Sequence, residues 1–125
     1  IKTGNHTHTV ETGNMETNVD TGNVKTTVKT GNMETKVDTG NLKTTVGKGN
    51  HELKISLGKS TYQATQSIEL KVGASSIKIE PAKITIKSPQ IEINGSMQTE
   101  VKGGIMTKVS GGAMAQVQGG IVKIN

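Results

Sequence analysis

The chain has 125 residues, 30% of them hydrophobic, with no Phe, Trp or Cys and with Tyr62 as its sole aromatic. Cores of this size normally draw on aromatic side chains for buried area, so the composition speaks against a conventional enzyme fold, and the lack of Cys removes disulfide and thiolate-metal scaffolds. The net charge of +5 comes from Lys alone, whereas nucleic-acid readers use Arg on base edges and aromatics for stacking, so the excess Lys reads as solvated surface and no nucleic-acid partner is expected.

Residues 1–56 are a nine-residue repeat. Thr-Gly-Asn recurs at Thr3, Thr12, Thr21, Thr30 and Thr39, and Lys48-Gly49-Asn50 continues it. The fourth position of each unit is His6, Met15, Val24, Met33, Leu42 and His51; the eighth is Val10, Val19, Val28, Val37, Val46 and Ile55. Positions four, six and eight alternate, so they share one face of a strand, and each Gly-Asn marks a corner because both residues tolerate positive φ. Outward positions are acidic in one unit (Glu16, Asp20) and basic in the next (Lys25, Lys29), then mostly acidic (Glu34, Asp38), then basic at Lys43.

Residues 57–73 are less regular, although Ile68, Leu70 and Val72 keep the alternation. From 74 to 94 the period is seven, with the Ile pairs Ile77/Ile79, Ile84/Ile86 and Ile91/Ile93. From 95 to 125 it is eight, with the inner rows Met97-Thr99-Val101, Ile105-Thr107-Val109 and Ala113-Ala115-Val117. No helical period occurs, and the Gly, Thr and Val content opposes helix. Rows of two or three small apolar residues do not close a core from one chain. Calcium-stapled nonapeptide rolls use a different turn, Gly-Gly-x-Gly-x-Asp. The expected fold is therefore all-β: a single β-helical spike over 1–125, built as an intertwined triple-stranded β-helix, or triangular β-prism, from three identical chains.

The Thr-Gly-Asn-x-x-Thr-x-Val repeats, the stretch Ser67-Ile68-Glu69-Leu70-Lys71-Val72-Gly73 and the Ile-rich segment from Ile84 to Gly95 resemble the C-terminal needle of the valine-glycine repeat (VgrG) spike proteins of the type VI secretion system. They are also similar in kind to contractile-phage tail spikes. The resemblance implies a homotrimeric, non-catalytic, membrane-puncturing spike of a contractile injection apparatus, capped by a PAAR-repeat tip protein and carrying effectors. It implies assembly in the bacterial cytoplasm and secretion by the apparatus into the periplasm or a target cell, whose membrane the spike meets during puncture. In the family, upstream domains join the needle to the secretion tube and baseplate; a chain opening on Ile1 reads as a fragment lacking them. The competing reading is a β-helical adhesin or other surface-binding stalk without catalytic activity. An ice binder would need an outward Thr ladder, yet Thr17, Thr26, Thr35 and Thr44 share the Val face.

Two sets of residues carry site expectations. His6 and His8 are two apart and face inward in the repeat register, so three copies would gather six imidazoles, a donor set suited to an octahedral transition metal. No cofactor is required by the fold itself. At the other end, Ile121, Val122, Lys123, Ile124 and Asn125 place apolar residues on both faces of one strand, which marks a tip-binding surface. No catalytic constellation is expected: Glu16/Asp20 and Glu34/Asp38 lie roughly 13 Å apart along a strand, too wide for a paired-carboxyl site.

Overall fold

The computed structural model describes residues 3–125, and these are all-β. The chain divides into two units, Ile1–Glu52 and Leu53–Asn125.

In the first unit the nine-residue period is visible in the backbone. Bends at 11–13, 20–22, 29–31, 38–40 and 47–49 separate extended segments. Each bend closes on a glycine in the left-handed region, with φ of 97° at Gly13 and 110° at Gly40, where an L side chain would be strained. The asparagines that follow do not share this conformation; among the described residues no residue other than glycine has positive φ. Glycine alone therefore makes the corner.

The second unit opens with one more corner of the same kind at Gly58, φ 116°. The nine-residue geometry thus runs into the stretch that reads as irregular in sequence, since Leu57-Gly58-Lys59 has lost the flanking Thr and Asn but kept the residue the corner needs.

A three-stranded antiparallel meander follows: β1 Ile68–Val72, β2 Ser75–Ile79 and β3 Ile84–Lys87, in the order β1-β2-β3. Gly73, at φ 53°, and Ala74 join β1 to β2, and two-residue hairpins require such a glycine to match the twist of their strands. Glu80 to Lys83 join β2 to β3 around Pro81, with the Glu80 amide donating to the Lys83 carbonyl at 2.9 Å. Register pairs Ile68 with Ile79 and Ile79 with Ile84, then Leu70 with Ile77 and Ile77 with Ile86. Directly opposed residues share a face, so one side of the sheet is aliphatic and the other carries Glu69, Lys71, Lys78 and Lys87. An intertwined β-helix predicts that the period-seven units pair with other chains. Over 75–87 they pair within their own chain, because two tight turns bring neighbouring strands together at little loop-closure cost.

Beyond the meander, bends at 96–97, 104–105, 112–113 and 120 follow the eight-residue period. Here glycine serves a different purpose. A Cβ on Gly95 would come within 2.5 Å of the Gln98 carbonyl oxygen, and Gly103 and Gly111 face the Met106 and Met114 carbonyls in the same way. These corners fold back so closely that a methyl group has no room.

Among the described residues none is buried. The chain exposes 14079 Å², against about 6,400 Å² for a compact monomer of its mass and about 19,000 Å² for an extended one. Folding of the single chain hides only about a quarter of what it could expose.

Candidate interaction surfaces

The aliphatic face of the meander is concave. Leu70, Ile77 and Ile86 form one cross-strand row, and Val72 and Ile91 flank it around an open groove of about 390 Å³. Serine closes one end of the rows, where Ser75 Oγ and Ser88 Oγ lie 2.8 Å apart. The opposite face is polar, with Lys78 Nζ 3.3 Å from Glu80 Oε1. A sheet that is apolar on one side and charged on the other is made to be covered on the apolar side. Ile77 nevertheless remains 42% exposed and Ile86 56%. Sequence reading found the alternation in these strands but missed the groove. Gly73-Ala74 between two alternating runs is the signal that could have disclosed the hairpin.

The extended segments of the repeats offer a second kind of surface. Apart from the meander's ladders, the Glu80–Lys83 bond is the one backbone–backbone hydrogen bond among the described residues. The amides and carbonyls of the nine- and eight-residue units therefore have no backbone partner among the described residues and stand as open edges. Their side chains are equally uncovered: in the third unit the fourth-position Val24 is 71% exposed and the eighth-position Val28 46%.

The expected site residues fall at separate places. His6 and His8 lie on the extended segment after the Gly4 corner, both exposed. One chain supplies only these two imidazoles there, and no group of three or more potential metal ligands occurs among the described residues. Ile121 to Asn125 are all exposed. Ile121 and Ile124 are almost wholly so, whereas Val122 is half covered and leans toward the corner, its Cγ2 3.9 Å from where a Cβ on Gly119 would sit.

Comparison with protein-family models, with curated proteins and with solved structures found no match to the chain.

Proposed function

We propose that three copies of this chain wind about a common axis into a triangular β-prism that acts as a non-catalytic spike. In this reading the spike belongs to a type VI secretion or related contractile injection apparatus. It bears a PAAR-type tip protein with its effectors and meets the target membrane during puncture. One observation carries the assembly: a chain with regular corners, matched strand lengths and in-register alternation leaves every described side chain unburied and nearly all its repeat backbone unpaired. Regular structure of this kind has to be stabilised from outside the chain, because ordering each residue costs about 1–2 kcal/mol in backbone entropy. Identical chains satisfy the need most simply. Their strand edges have the same spacing, and their aliphatic faces can meet each other around an axis. The spike role itself rests on the resemblance of the repeats and of the 67–95 region to the VgrG needle.

Light scattering of the purified chain is expected to give about three times the 13.1 kDa chain mass. A folded monomer at micromolar concentration would end the proposal. Ile86→Asp should abolish the assembly, since three carboxylates would converge without partners on a face meant for aliphatic contact. A trimeric Ile86→Asp protein would show that this face points to solvent.

A further inference from the structure

Charge in the first unit repeats with twice the period of the corners. The extended segment after Gly13 carries Glu16 and runs into the next bend at Asp20, that after Gly22 carries Lys25 and ends at Lys29, that after Gly31 carries Glu34 and Lys36 and ends at Asp38, where Lys36 is already paired with Asp38, and that after Gly40 carries Lys43. Solubility alone does not require such an order; interspersed charges of either sign would serve. Nor is the alternation used within the chain. The ion pairs among the described residues are Lys36–Asp38 at 2.8 Å, Lys78–Glu80 and Lys102–Glu100, each between residues two apart, and none joins one nine-residue segment to another. The same segments have no backbone partner among the described residues.

We propose that residues 14–47 form a homotypic recognition ladder, in which each segment pairs with the next-numbered segment of a second copy of this chain. This rests on the reading that several copies wind together. In such a winding, consecutive segments of one chain lie on successive faces of the prism, so the strand above a given segment is supplied by a neighbour, one unit further on. Glu16 then faces Lys25 of another copy, Asp20 faces Lys29, Lys25 faces Glu34 and Lys29 faces Asp38. The strand edges supply the hydrogen bonds and the charges supply the register. A slip by one unit sets acid on acid and base on base, and directly opposed like charges are destabilising. A slip by two units restores the match. The ladder therefore excludes odd slips only, and even slips are blocked by the seven- and eight-residue periods that follow, which cannot stack in phase on nine-residue units.

Two in-frame deletions in the full chain separate this from mere loss of strand layers. Removing residues 21–29 places the acidic segment of one copy against the acidic segment of another. Removing residues 21–38 takes out twice as much structure but sets acid against base again. The ladder requires the smaller deletion to melt lower than the larger, by about 5 °C or more in dilute buffer. The gap should close in about 0.5 M salt, where surface charges are screened. If the larger deletion melts lower, or the gap survives salt, the ladder is wrong. A length-preserving pair guards against deletions that fail to fold. Lys25→Glu with Lys29→Glu should lower the melting temperature in a salt-sensitive way. Adding Glu16→Lys, Asp20→Lys, Glu34→Lys, Asp38→Lys and Lys43→Glu, which reverses every charged rung together, should restore it, and failure to restore it also overturns the ladder. Light scattering on the unaltered chain stands apart from these comparisons: a trimer whose variants ignore charge order defeats the ladder alone, whereas a monomer defeats the assembly on which it rests.

Discussion

Gly103 and Gly104 are adjacent, yet the chain would receive a methyl group differently at each. A Cβ on Gly103 would strike the Met106 carbonyl oxygen and lie 2.6 Å from Thr107 Oγ1, while a Cβ on Gly104 would meet nothing within 4 Å. Gly103→Ala should therefore cost about 1–3 kcal/mol per chain, the range for overpacking a site whose neighbours are backbone and cannot swing aside. Gly104→Ala should stay within about 0.5 kcal/mol. Thermal melts of the two variants test this, and equal midpoints would mean that the corner relaxes freely. His6 and His8 depend on symmetry in a way the glycines do not. Two imidazoles from one chain make a weak site, but in the proposed trimer six would offer a nitrogen donor set that suits iron or nickel in octahedral geometry. Elemental analysis of protein grown with added metal should find about one transition-metal ion per three chains, lost in the His6→Ala, His8→Ala double variant. Metal-free protein under those conditions would retire the site.

The meander shows what a repeat pattern can and cannot disclose about an element. Period-two alternation in Ile77/Ile79 and Ile84/Ile86 places these residues on one face whether the neighbouring strand runs parallel or antiparallel, and whether it belongs to the same chain or another. The face was thus legible in the sequence, while the partner was not. What decides the partner is turn chemistry: Gly73 in the left-handed region and the Pro81 turn close two hairpins locally. The nine-residue corners were legible because glycine recurs where positive φ is needed. Gly58 was overlooked because its flanking residues differ. The extended segment over Ile121–Asn125 has aliphatic residues on both of its faces, with Val122 and Ile124 opposite Ile121 and all three exposed. A strand in a two-layered or prism wall needs apolar residues on one face only, so in the proposed spike the second apolar face is the place for the tip protein to dock. Val122→Ser with Ile124→Ser should leave the chain's own assembly intact and weaken capture of a cognate PAAR protein by about tenfold or more. Undiminished capture would move the docking site elsewhere.

At the scale of the whole molecule, the area left exposed by one chain determines how the protein must come apart. A chain that hides only about a quarter of its extended surface should have no separately stable folded form to fall back on, since small domains ordinarily hide about 60% or more. The local exception is the meander, whose ladders are internal, but its aliphatic face is open and three strands with one uncovered face are marginal in water. Dissociation and unfolding should therefore be one event. In the proposed assembly that event would have to break strand pairing along every unit before any chain is released, so its barrier should be high even where the equilibrium stability per residue is ordinary. Proteins of this kind are governed by an unfolding rate, and their apparent melting temperature depends on how fast they are heated. The transition should move upward by several degrees when the scan rate is raised about tenfold. Refolding after dilution should slow as chain concentration falls, because chains must meet before they can be ordered. Hydrogen exchange supplies the residue-level counterpart: protection in the nine-residue units should vanish together with assembly, with the β1–β3 amides retaining at most weak protection in isolated chains. A transition independent of scan rate and of concentration would place the stabilising contacts within the single chain, and the repeats would then have to find partners that its own backbone does not supply.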